Sequence, residues 1–173
     1  TLFADRIAEE KTCEWNAREK MVEAKIRRRL FALALDERRW TDAPADAVAA
    51  AMAAGVAQLG LDRLPWSGAA QRLRARVAWG AKAGVEGLPD LSDDALTETI
   101  HDWLAPHLGG IRRAAELERL DLAQVLDGML DWSAKSALDR AAPSHFTAPT
   151  GTKVPVDYDR DPPAISIRLQ EMF

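Results

Sequence analysis

Cysteine is almost absent from this chain. Cys13 is the single thiol in 173 residues, which excludes a disulfide framework within the chain and the cross-linked secreted scaffolds that depend on one. It fits a reducing compartment, and a cytoplasmic location is the expectation. Histidine is scarce too. His101, His107 and His145 include no pair at the one-turn spacing of a metal-binding helix, and one cysteine cannot complete a zinc site. Apolar runs of about 18 residues are missing, so no membrane span is expected. The Ala-rich run Ala43–Leu59 is weakly apolar and lies mid-chain, the wrong place for a signal peptide. An excess of positive charge is also lacking. The net charge of −4 creates no global field for nucleic acid, although local basic clusters remain. There is no starting Met, and both ends carry apolar residues without stop signals, so a fragment of a longer protein is expected.

What is present suits a globular fold. Hydrophobic residues make up 47% and charged residues 29%, enough to build a core in a chain that hides roughly 70% of its unfolded surface. Residues 41–143 read as a helical domain. Asp42 or Pro44 starts a helix through Val48, Met52, Val56 and Leu59, and Ser67 starts one through Leu73, Val77 and Ala81. Leu91-Ser92-Asp93-Asp94 is a helix start, with Ser92 as cap and Asp93 and Asp94 at the positive end. Leu96, Ile100, Trp103 and Leu104 continue that helix in register. Ile111–Glu118 reads as a short connecting helix. Asp121 opens a last one whose stripe runs through Leu122, Val125, Leu126, Met129 and Leu130 to Ala137 and Leu138. Trp103 and Trp132 lie on or beside these stripes and are expected in the core.

Residues 144–173 change character. His145–Ala148, Lys153–Tyr158 and Ala164–Leu169 are short β-favouring runs separated by Pro149-Thr150-Gly151 and Asp159–Pro163, and predict a three-stranded antiparallel sheet. Residues 1–40 are ambiguous between helix and strand. Ala17–Glu37 is rich in helix formers, whereas Val22, Ala24 and Ile26 alternate as in a strand.

Several suggestive patterns fail on inspection. Gly151-Thr152-Lys153 imitates the end of a phosphate loop, but Phe146 stands where its first Gly belongs, and a turn between strands explains it better. Asp157, Asp159 and Asp161 imitate a calcium loop, yet Pro162 and Arg168 occupy the positions of its Gly and Glu. Ser67 lacks the outer glycines of a nucleophile elbow. No catalytic constellation, metal site or cofactor site is read within these residues. Basic clusters remain: Lys25 with Arg27, Arg28 and Arg29; Arg38 and Arg39; Arg72, Arg74 and Arg76; Arg112 and Arg113. If residues 21–35 form a strand, Lys25, Arg27 and Arg29 share one face and could meet phosphates. The competing reading is a solvated face balanced by Glu19, Glu23, Asp36 and Glu37.

A series of short motifs then carries a resemblance. These are Asp102-Trp103-Leu104-Ala105-Pro106, Leu120-Asp121-Leu122, Leu130-Asp131-Trp132, Pro149-Thr150-Gly151, Val156-Asp157-Tyr158, Pro163-Ala164 and Gln170-Glu171-Met172-Phe173. Upstream they are joined by Glu14-Trp15-Asn16, Arg27-Arg28-Arg29-Leu30 and Leu64-Pro65-Trp66. Together they resemble the C-terminal region of HrpB-type bacterial ATP-dependent RNA helicases of the DEAH class. The resemblance implies an α+β chain: the closing strands of an OB-like β-barrel in residues 1–40, the helical domain of 41–143, and the β segment of 144–173. It implies strands at Thr12–Asn16 and Met21–Asp36 with a turn at Ala17–Lys20, and it places Phe31 where the family's pattern has Gly. It further implies a non-catalytic accessory region, with ATP and magnesium bound elsewhere in the parent helicase. The implied partners are RNA or another single-stranded nucleic acid, met through Lys25, Arg27 and Arg29, and the RecA-like domains of the parent. A protein-interaction module without nucleic-acid contact is the alternative.

Overall fold

The computed structural model describes residues 7–30, 33–168 and 170. Among the described residues, six strands and six α-helices fall in three blocks: strands β1 (Ile7–Asn16), β2 (Met21–Leu30) and β3 (Leu33–Arg39); helices α1 (Ala45–Leu59), α2 (Gly68–Lys82), α3 (Asp93–Glu98), α4 (Ile100–Trp103), α5 (Leu122–Gly128) and α6 (Trp132–Ala141); then strands β4 (His145–Thr147), β5 (Lys153–Asp157) and β6 (Ala164–Ile165). They form two compact units, one from Thr1–Pro65 with Thr97–Leu120 and the other from Trp66–Leu96 with Asp121–Phe173.

The first unit is built on an antiparallel sheet in the order β1-β2-β3. Tertiary burial decides strand over helix here. Val22, Ala24 and Ile26 are all at least nine-tenths buried, and each Val or Ile so covered contributes about 1.5–3 kcal/mol, more than helix propensity can offset. The β1–β2 turn is fixed by Asn16, whose Oδ1 accepts from the N–H groups of Arg18 and Glu19, both at 3.0 Å. α1 covers the apolar face with Val48, Met52, Ala53 and Val56. Its Gly55 lies flat on the Trp15 ring: a Cβ there would stand 2.4 Å from the indole. Ile100, Trp103, Leu104, Leu108 and Leu117 complete this core.

One expectation for this part changes. Met21–Asp36 is not one strand but the hairpin β2–β3, pairing from Lys25↔Arg39 to Leu30↔Leu33 with a register shift between Arg28 and Arg29. The sheet is open, and the described residues show no closed OB-like barrel. Phe31 lies outside the described residues.

In the second unit, α2 packs on α5 and α6, with Val77, Leu122, Leu126 and Leu138 buried. Ser67 caps α2, accepting from the Ala70 N–H at 3.2 Å, and Asp121 caps α5 through the Gln124 N–H at 3.2 Å. The stripe expected from Leu122 to Leu138 is two helices, because Asp131 intervenes as a second cap and accepts from the Ala134 N–H at 2.7 Å. Trp132 is therefore the first residue of α6. It projects outward at 82% exposure, against the core position expected for it. The helix expected through Leu104 is likewise divided at Thr99 into α3 and α4.

The terminal sheet has the order β4-β5-β6, with β6 reduced to two residues. Gly151 makes the β4–β5 turn: its φ of +87° suits glycine, its N–H donates to Ala148 O, and the Ala148 N–H donates to Thr152 O. Tyr158 Oη donates to Pro143 O at 2.7 Å, and its ring meets Trp79 at 5.3 Å between centroids. Arg76 on α2 donates to Ala142 O and pairs with Asp139, tying α2 to the end of α6.

Candidate nucleic-acid interface

Strand alternation sorts the charges of the first unit. One face of the sheet is apolar and covered by α1. On the other, β1 places Glu10, Thr12 and Glu14 opposite Arg27, Lys25 and Glu23 of β2, and β3 places Glu37 and Arg39 opposite Arg27 and Lys25. The expected set of Lys25, Arg27 and Arg29 thus lies on one face. Arg28 points the other way, 4.0 Å from Glu9.

None of the three stands alone. Lys25 Nζ lies 3.1 Å from Glu23 and 3.0 Å from Glu37. Arg27 Nε donates to Glu37 Oε2 at 2.7 Å, and Arg29 Nη1 lies 3.5 Å from Glu10. The Arg27 and Lys25 hydrogen bonds hold the Glu37 carboxyl below the usual carboxylate range, and those of Lys25 and Asn16 do the same for Glu23. In return, Glu37 and then Glu23 raise Lys25, and Glu37 raises Arg27. The pairs are solvent-screened, so they orient side chains more than they stabilise the fold. Chemically the face is a ladder of fixed, alternating charge rather than a bare basic patch.

The other basic clusters are dispersed. Arg74 stacks on Trp66 at 5.2 Å and pairs with Asp93 at 2.8 Å, and Arg76 is absorbed in the tie described above. Residues 112–114 do join the sheet. Val22 donates to Arg112 O, Ala114 donates to Lys20 O, and Met21 bridges Arg113. The place of this segment beside β2 is not legible in the sequence, because the contact spans about ninety residues and depends on the fold. The Asp157 carboxylate accepts from the Asp159 N–H and pairs with Arg160 at 3.2 Å, which occupies it locally. Among the described residues, no group of three or more His, Cys, Asp or Glu is placed to hold a metal.

Residues 103–173 match the family described as ATP-dependent helicase C-terminal. The chain is 34% identical over 164 residues to the ATP-dependent RNA helicase HrpB of Escherichia coli K12, covering 94% of this chain and 20% of that protein. The chain matches the C-terminal region of an HrpB-type helicase. Two solved structures agree. The E. coli DExH-box NTPase HrpB superposes with a TM-score of 0.71 at 31% identity, over 98% of this chain and 21% of that one. The E. coli DEAH/RHA helicase HrpB gives 0.72 at 31% identity, over 96% and 22%. The chain spans about a fifth of the length of these HrpB relatives. No helix of the described residues is long and apolar enough to cross a membrane.

Proposed function

We propose that this chain is a non-catalytic accessory region of an ATP-dependent RNA helicase, and that its first sheet is the remnant of an OB-like barrel whose charged face lies along the path of single-stranded RNA. The carrying observation is the shared outward face of Lys25, Arg27 and Arg29 on an open three-stranded sheet. ATP hydrolysis, with its magnesium, belongs to RecA-like domains elsewhere in the parent. A strand of RNA would enter by exchange: its phosphates replace Glu23, Glu37 and Glu10 as partners of the three cations, which leaves the carboxylates to water.

A second reading is docking onto another protein surface, such as the parent's RecA-like domains, without RNA contact. It is favoured by the pairing of each cation with a carboxylate, because alternating charge fixes register against a complementary protein face. Fluorescence anisotropy with a labelled single-stranded RNA at low salt separates the two. Arg27→Ala with Arg29→Ala should weaken binding if the face meets RNA. Unchanged RNA binding, together with lost association with the remaining helicase domains, would establish docking instead.

A further inference from the structure

We infer that a notch in the edge of β2 reads one cytosine or guanine of a single-stranded RNA through two main-chain groups, the Ala24 N–H and the Val22 C=O. The inference rests on the RNA reading of the adjacent sheet face and adds a base contact to it. Two half-made hydrogen-bonded pairs define the notch. The Trp40 N–H donates to Ala24 O at 2.8 Å where β3 ends, and the Val22 N–H donates to Arg112 O at 2.7 Å where the later segment joins the same edge. In a regular antiparallel ladder each such pair exchanges a second bond, from Ala24 N–H to Trp40 O and from Arg112 N–H to Val22 O. Neither is made. The Arg112 N–H turns instead to Glu116 Oε2 at 2.9 Å.

The Ala24 N–H and the Val22 C=O therefore point out of the same strand edge, with no partner among the described residues. Their residues are 5% and 2% exposed, and main-chain groups so covered are seldom left unpaired. Both residues line a cavity of about 230 Å³. The two groups belong to different pairs, so they form the widely spaced set of the ladder. A base that bonds both needs an acceptor at one end of its Watson–Crick edge and a donor at the other. Cytosine and guanine have that arrangement; uracil ends in two acceptors, and adenine lacks the second polar group. Bonds to groups lying in the sheet hold the ring in the plane of the sheet. Arg39, paired with Lys25, stands on the charged face, and Arg112, next to the Met21–Arg113 bridge, on the opposite one. Both line the cavity, so the ring has a guanidinium group on either side, and such planes stack on bases. Four cations against two anions in the lining favour a base carried on a polyanion over a protein carboxamide.

The test uses the whole chain with labelled oligocytidylate and oligouridylate of about twelve nucleotides, probes of equal charge. Oligocytidylate should bind about tenfold more tightly, with the same log–log salt slope. In the free wild-type chain the Ala24 N–H should be less protected from hydrogen exchange than the Val22 N–H. Oligocytidylate should raise that protection and shift the Ala24 amide resonance. Equal affinity for the two oligomers, or an Ala24 amide left unmoved by bound oligocytidylate, overturns the notch and leaves the sheet-face reading intact. Protection of the Ala24 N–H equal to that of Val22 in the free chain also overturns it. A wild-type chain that binds neither oligomer contradicts both readings, and a shift of the same amide by an asparagine-rich peptide in their place assigns the notch to a protein carboxamide.

Discussion

At the scale of single residues, Gly55 and Glu37 carry the sharpest consequences. Gly55→Ala pushes a methyl group into the Trp15 ring, and the helix cannot retreat without uncovering Val22 and Val56. A loss of about 1–3 kcal/mol is expected, read from urea unfolding followed by tryptophan fluorescence. Glu37 is bound by two cations, so Glu37→Gln frees Arg27 for phosphate and leaves Lys25 with Glu23 alone. RNA affinity should rise, with a steeper salt dependence. The same residue sets a pH effect. Its folded-state carboxyl lies below the ordinary glutamate value of about 4.3, as does that of Glu23. Their contribution is present above that value and is lost as pH falls through the lowered folded-state values. The urea midpoint should therefore drop on acidification below about 4.3, and less steeply in Glu37→Gln.

At the scale of elements, caps and turns explain what the sequence showed and what it hid. Asp131→Ala removes the side chain that starts α6, and should cost about 1 kcal/mol. Gly151→Ala has open space around it, yet its φ of +87° should still cost about 1 kcal/mol; thermal unfolding of the two variants checks both values. The β1–β2 hairpin was only half legible: Val22, Ala24 and Ile26 alternate, but the helix formers of Ala17–Glu37 spoke against a strand, and only the motif resemblance favoured one. The β2–β3 return was not legible, because Leu30 and Leu33 are separated by no Gly, Pro, Asn or Asp to signal a reversal. The break before α6 was hidden by an apolar stripe that stays in phase across it, and Trp132 was misplaced with it. At the candidate interface the shared face of Lys25, Arg27 and Arg29 follows from alternation once residues 21–30 are a strand. The partners Glu10 and Glu37 required the register of both neighbouring strands, which hairpin geometry sets and composition does not.

At the scale of the whole molecule, each unit is assembled from separated stretches of chain. Thr97–Leu120 supplies Ile100, Trp103, Leu104, Leu108 and Leu117 to the unit that holds the first sheet. A chain cut after Pro65 lacks those five apolar side chains and should not fold, as amide resonance dispersion would show. Function also belongs to this scale, because the proposed RNA contact needs the sheet whose covered face those residues help to bury. The most direct measurement is equilibrium binding of a labelled single-stranded RNA to the wild-type chain from about 50 to 200 mM salt. The proposed role predicts measurable binding at low salt and a linear fall of log affinity with log salt, by about 0.7 for each phosphate contacted. No binding at the lowest salt, or binding indifferent to salt, would contradict it.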